Sequence, residues 1–313
     1  MGASLAVPTP MSVRVAVEEA EDDVFIRTAL HGELYEASFD LGVGAEAVTG
    51  PLRFVPAAMM ALREHGIALR PAGLWCHSSL PAGRGFSSSA AFCLSVLDGL
   101  ARHAGVRLTA TELAQLAFHT EAKIVGVPCG MLDPLACVAG APVFLQWDGD
   151  SAPLRRIRPA RTTHLVLGVF SRPRDTMAIL CALSSRWQTL LVAPRDPADV
   201  AVVREAITVW GSAATRGAHA LTVGDLLALG EAMNEAQGAY ERAASQISEL
   251  EAPGLVAACA ALRAEGALGA KFSGAGGDGS VIALARTARH AERLAGTLSD
   301  RGLAVWKVPL EET

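Results

Sequence analysis

The chain has 313 residues, 51% of them hydrophobic and 19% charged, so it reads as globular and is long enough for two domains. Its formal net charge is -5 with no long run of one sign, which gives no support for a nucleic-acid or membrane-surface partner. A phosphate-bearing substrate therefore has to be held by local backbone donors and a metal, not by a basic field.

Residues 4–17 alternate loosely between apolar and polar and are predicted as one strand. Val24 to Leu30 and Leu34 to Phe39 read as strands around a His31-Gly32 turn. Pro51 to His65 has helical spacing and stops at Gly66; Ile67 to Leu80 reads as a strand. A Gly-rich loop leads into a helix over Ser88 to Ala104. Thr109-Ala110-Thr111-Glu112 is a capping box for the next helix, which ends near Gly126, and a turn carries Pro128 to Asp133. Val143 to Trp147 is a strand, and the polar, Pro-bearing stretch 149–161 is a plausible domain boundary. The second half opens with a strand at Leu165 to Phe170. Helices are expected over 174–187, 198–210, 223–247 (opened by a box at Thr222 to Asp225) and 252–265. Strands at Gly269 to Ser273, Val281 to Ala285 and Leu303 to Val308, with a helix over 287–301, complete an α/β sandwich pattern.

The six cysteines are scattered without a C-x-x-C pair, which suits reduced thiols in a cytoplasmic protein. The eight histidines show no metal-binding spacing. No segment approaches the ~18 uninterrupted apolar residues of a membrane span, and Met1 to Val15 lacks the shape of a secretory signal.

Three stretches carry chemistry. The first is Pro81-Ala82-Gly83-Arg84-Gly85-Phe86-Ser87-Ser88-Ser89-Ala90-Ala91, between a predicted strand and a predicted helix. Glycines let backbone N–H groups approach a phosphate, a helix N-terminus adds donors and partial positive charge, and serine hydroxyls bond phosphate or ligate Mg²⁺. It is neither a Walker A loop nor a nucleophile elbow, since no Lys-Ser or Lys-Thr comes after the glycines and G-x-S-x-G is absent. A plain turn with a serine N-cap gives the same pattern, and the pattern alone leaves both open. The second is the pair Glu121 and Asp133, twelve residues apart. In phosphoryl transfer one carboxylate holds Mg²⁺ and another orients or deprotonates the attacking hydroxyl. Taken singly, Glu121 also fits a solvated helix face and Asp133 a turn or cap residue. The third is Gly274-Ala275-Gly276-Gly277-Asp278-Gly279, a literal G-x-G-x-x-G. A strand and not a helix is predicted after it, so a dinucleotide fold is a poor reading and a hairpin turn the plain alternative.

Together the three resemble the motifs of the GHMP kinase superfamily. Pro81 to Ala91 resembles its second motif, with Phe86 where Leu is usual. Glu121 through Val127-Pro128-Cys129-Gly130 to Asp133 resembles the galactokinase run, with Pro134 in place of Gln. Lys271 to Gly277 resembles the third motif in its sugar-phosphate and phosphomevalonate kinase form. The resemblance implies an α+β, two-domain GHMP kinase fold. Residues 1–155 would form an N-terminal ATP-binding domain, a ribosomal-protein-S5-domain-2-like α/β sandwich. Residues 156–313 would form a ferredoxin-like α/β sandwich. It implies ATP and Mg²⁺, with Pro81, Gly83, Arg84, Gly85, Phe86, Ser87, Ser88, Ser89, Ala90, Gly274, Ala275, Gly276 and Gly277 at the nucleotide. Ser89 (or Ser88) and Glu121 would be metal ligands and Asp133 the catalytic base, while Lys123 is expected to be a solvated charge. The implied activity is phosphorylation of a sugar or sugar-phosphate hydroxyl, the anomeric one, by direct in-line transfer in a monomer or homodimer.

The superfamily's first motif, an Arg and then Gly-Glu-His-Thr-Asp, has no counterpart, and Gly2 to Pro8 resembles the segment just downstream of that motif. Either the given start lies downstream of the true one or the chain naturally lacks the usual sugar-binding loop. The sheet edge that an absent first strand exposes favours the former. A mevalonate- or phosphomevalonate-type acceptor, or a non-catalytic sugar and ATP sensor, are the alternatives.

Overall fold

A computed structural model describes residues 2–30, 33–44, 48–81, 84–147, 153–171, 175–192 and 198–312. The chain forms two compact units. The N-terminal unit comprises residues 8–81 and 86–140; the C-terminal unit comprises residues 2–7, 84–85 and 141–312.

In the N-terminal unit, β2 (Val13–Glu19), β3 (Val24–Leu30), β4 (Glu33–Phe39) and β5 (Ala72–Ser78) form a sheet of order β2-β5-β3-β4. Strands β3 and β5 run parallel and the other pairs antiparallel. Alternation decides which face is covered. Val24, Ile26, Leu74 and Cys76 point one way and are buried. Arg27, Glu36, Glu18 and Trp75 point the other way, where Arg27 pairs with Glu36 and lies 4.8 Å from the Trp75 ring centre. The helices of this unit are α1 (Phe54–Glu64), α2 (Ser88–His103), α3 (Ala110–Phe118) and α4 (Leu132–Ala139). Their residues Met59, Leu62, Phe92, Val96, Leu97, Leu100 and Leu116 join the buried sheet residues in one core. The capping box at the start of α3 is present, Thr109 Oγ1 accepting from Glu112 N–H at 3.2 Å and Glu112 Oε2 accepting from Thr109 N–H at 2.8 Å.

In the C-terminal unit, β1 (Gly2–Ala6), β6 (Val143–Trp147) and β7 (Leu154–Arg156) form an antiparallel sheet of order β1-β6-β7. The main sheet is built from β8 (Thr163–Val169), β9 (Gly269–Phe272), β10 (Ser280–Ala285) and β11 (Ala304–Leu310), all antiparallel, in the order β11-β8-β10-β9. Fourth-first-third-second is the ferredoxin-like order. The first crossover is enlarged to α5 (Thr176–Val192), α6 (Ala198–Val223), α7 (Leu226–Ala244) and α8 (Pro253–Ala264), and the second is α9 (Ala288–Ser299). Tyr240, Ile247, Leu250, Leu255, Leu262, Val281 and Leu294 are fully buried in its core.

The structure corrects several expectations. The single strand over residues 4–17 is two, β1 and β2, separated around Pro8 and Pro10, because proline supplies no ladder donor. Gly2–Ala6 and Val143–Trp147 pair with each other as β1 and β6, and α6 lies against β1. The stretch 149–161 carries β7, and the His31-Gly32 turn lies outside the described residues. The helix expected to stop near 210 runs to Val223 and ends at Gly224, whose φ of +75° suits glycine. The box expected at Thr222 does not form. Thr222 Oγ1 donates to Ala218 C=O within α6, and Asp225 is the N-cap of α7, accepting from Leu227 and Ala228 N–H at 3.0 Å each. Asp133 lies in the first turn of α4, not in a loop.

Candidate active site

The site in the N-terminal unit starts with the entry to α2. Ser87 is the N-cap with φ 54° and ψ 33°, the one positive-φ residue other than glycine among the described residues. A left-handed serine is a strained arrangement of the kind that collects at functional loops. Its side chain makes no cap hydrogen bond, so the first-turn amides of a 16-residue helix are not closed by the usual device. Ser88, Ser89 and Ala90 form that first turn.

Glu121 sits in a π-helical turn, His119–Ile124, that continues α3. Its wide hydrogen bonds run from Val125 N–H to Thr120 C=O at 3.0 Å and from Val127 N–H to Glu121 C=O at 2.9 Å. Such turns recur at functional sites. Thr120 and Glu121 are both buried, at 0% and 2% exposure. Burial first of all pushes the Glu121 carboxyl up to about 7; the nearby Asp133 carboxylate adds to this, and a hydrogen bond from Ser89 opposes it. Ser89 thus bonds Glu121, and Asp133 lies near enough for its charge to act on Glu121, although the three come from separated segments. Around them burial and the two carboxylates push the Cys129 thiol to about 12, and burial, Glu121 and Cys129 hold the Cys93 thiol well above its ordinary value, so both are unreactive thiols. Lys123 is exposed, as expected of a solvated charge.

A hydroxyl and two carboxylates are hard oxygen donors. This set fits Mg²⁺, which takes few protein ligands and completes its shell with phosphate and water. Among the described residues no group of three or more His, Cys, Asp or Glu is arranged to hold a metal.

Of the remaining predicted residues, Pro81 and Phe86 lie in the N-terminal unit and Arg84, Gly85 and Gly274 to Gly277 in the C-terminal unit. Pro81 comes after β5, and Gly83 lies outside the described residues. The Arg84 guanidinium donates to Phe170 C=O and Ser171 C=O at 2.6 Å each, and Ser280 Oγ donates to Arg84 C=O at 2.8 Å. Within the C-terminal unit, the Arg84 side chain thus bonds the end of β8, and Ser280 ties the Arg84 backbone to β10. Gly85 has φ 84°. Gly274, Gly276 and Gly277 have φ of 65°, 88° and 67°, so the loop between β9 and β10 turns through backbone that suits glycine and can aim amides at an anion. Ala275 is partly buried within it. Sequence spacing gives no sign of Tyr240 or Asp278. Tyr240 Oη accepts from Gly277 N–H at 2.7 Å, and Asp278 accepts from Leu255 N–H at 2.7 Å at the start of α8. Both read in the sequence as ordinary helix and loop residues.

A sequence model described as the GHMP kinases N terminal domain matches residues 53–141, and one described as GHMP kinases C terminal matches residues 218–303. The chain is 30% identical to a galactokinase of Mycobacterium tuberculosis over 262 residues, covering 76% of this chain and 70% of that protein. It is 28% identical to a mevalonate kinase of Aeropyrum pernix over 277 residues, covering 87% and 78%. Among solved structures, the galactokinase of Lactococcus lactis complexed with galactose is similar with a TM-score of 0.80 at 19% identity, covering 100% of this chain and 88% of that one, which speaks for the fold. No helix among the described residues is long and apolar enough to cross a membrane. The chain belongs to the GHMP kinase family: it has the two-domain fold of that family and is a small-molecule kinase that uses ATP.

Proposed function

We propose that this kinase phosphorylates a sugar or sugar-phosphate hydroxyl, the anomeric one, by direct in-line transfer with Asp133 as the base. The nearness of Ser89 and Asp133 to Glu121 carries the reading, because phosphoryl transfer needs a metal-holding carboxylate and a separate group at the attacking oxygen. The Val127-Pro128-Cys129-Gly130 run between the two carboxylates, similar to galactokinases, supports the sugar acceptor.

Asp133 takes the proton of the acceptor hydroxyl as its oxygen bonds to the γ-phosphorus and the bond from phosphorus to the β-phosphate oxygen breaks. The amides of Ser87, Ser88, Ser89 and Ala90 and the dipole of α2 hold phosphate oxygens. Pro81, Gly83, Arg84, Gly85 and Phe86 would complete the nucleotide-binding loop. Gly274, Ala275, Gly276 and Gly277 form the second glycine loop at the nucleotide, with the Gly277 amide held by Tyr240. Glu121 and Ser89 would hold Mg²⁺, which when bound neutralises charge on the phosphates. The family domains we assign are residues 1–155 for nucleotide binding and residues 156–313 for the C-terminal domain.

The test is ADP release over a panel of hexoses, hexose phosphates, heptose phosphates, mevalonate and phosphomevalonate, with Asp133→Asn as control. Turnover on a sugar or sugar phosphate that disappears in the variant is expected. Turnover on mevalonate or phosphomevalonate alone overturns the acceptor class and favours the second reading, which the A. pernix relative supports. Tight ATP binding without turnover on any acceptor points instead to a sensor.

A further inference from the structure

We propose that Tyr240 is a positioning residue that holds the second glycine-rich loop in the shape that receives nucleotide; this rests on the reading of that loop given above. Tyr240 lies on α7 with 0% exposure. Its hydroxyl accepts from Gly277 N–H at 2.7 Å and donates to Leu250 C=O at 2.6 Å. Its ring packs on Phe272 at the end of β9, with centroids 4.8 Å apart. The loop backbone lies directly on the ring: a Cβ built at Gly276 would stand 2.2 Å from Tyr240 Cε2.

Two further contacts bracket the same loop. One turn earlier on α7, the buried Gln237 accepts from Phe272 N–H at 2.8 Å through Oε1. Beyond the apex, Asp278 accepts from Gly254 N–H at 3.3 Å and Leu255 N–H at 2.7 Å. The strand leading in, the apex and the exit from the loop are thus each tied to a helix. A purely packing role needs only the ring. The buried hydroxyl costs free energy unless satisfied, and it is satisfied by one core carbonyl and one loop amide. An aromatic chosen for core alone has no reason to reach Gly277. A loop already held in its binding shape binds with less loss, since apparent affinity falls by the fraction of molecules in the competent shape.

The experiment compares the full-length wild type with Tyr240→Phe, which keeps the ring and removes the hydroxyl. Wild-type ATP binding and turnover are measured first; if both are absent, the kinase reading itself falls. With wild-type binding in hand, the expected result is a rise of about 5-fold in KM and Kd for ATP, the size of one hydrogen bond, with kcat changed less than about 2-fold. Faster amide exchange at residues 274–279 is expected in the nucleotide-free protein. A lowered melting midpoint with unchanged KM, Kd and exchange makes Tyr240 a core residue only and overturns the proposal. If Tyr240→Phe does not fold, Gln237→Leu, which removes the acceptor for Phe272 N–H, is read by the same measurements and the same criteria.

Discussion

The two glycine-rich loops solve similar problems with opposite means. The loop ending at Ala90 opens a long helix, contains a left-handed serine and brings Ser89 against a buried acid. The loop at 274–279 lies between two strands and offers backbone alone, its shape imposed by Tyr240, Gln237 and Asp278. The first therefore carries side-chain chemistry near titrating groups, and the second carries geometry that packing enforces. Substitutions at the first should separate activity from stability, and substitutions at the second should couple them.

The largest effect expected is at the first site. Asp133→Asn should lower kcat by about 10²- to 10⁴-fold with little change in melting midpoint or ATP affinity, measured by coupled ADP release and calorimetry. A proportional loss of folded protein would erase the distinction between the loops. At the second, Gly276→Ala should destabilise the chain by about 2–4 kcal/mol, because its Cβ meets the Tyr240 ring at 2.2 Å and φ is 88°. Chemical denaturation checks this, and a neutral result would show that the loop yields easily.

A pH series sharpens the comparison. The folded pKa of Glu121, about 7, stands above its ordinary 4.5, so between these values the folded protein binds the extra proton. The contribution of this group to the stability of the metal-free chain is full below about pH 4.5 and is lost as pH rises through about 7. Glu121→Gln should flatten that fall; a wild-type melting midpoint constant from pH 5 to 8 would contradict the burial argument. The smallest effect is at Ser89→Ala. Loss of the hydroxyl donor, on the order of 1 kcal/mol, raises the cost of charge on Glu121, so the same fall in stability should deepen and extend to higher pH. Gln237 and Tyr240 variants should leave the pH series unchanged.

Much of this was legible in the residues. The glycine loops were, because positive φ and close backbone approach are local demands that glycine answers locally. The Thr109 box and the strands β3, β4 and β5 were also legible, since each depends on neighbours within a few residues. The box at Thr222 failed for the same reason in reverse: α6 continues past it, and the competing local signals of Gly224 and Asp225 win.

By itself, then, the sequence determined the order of most elements and the glycine-rich turns, because these rest on short-range backbone and side-chain preferences, while the two acids stood out only through their resemblance to a family run. Only the tertiary structure decided that Glu121 is buried beside Ser89 and near Asp133, that Arg84 bonds the end of β8, and that Tyr240 reaches Gly277. Those outcomes depend on which helix packs against which, and burial, which sets both the Glu121 pKa and the worth of the Tyr240 hydroxyl, is a property of the packed whole that no spacing along the chain encodes.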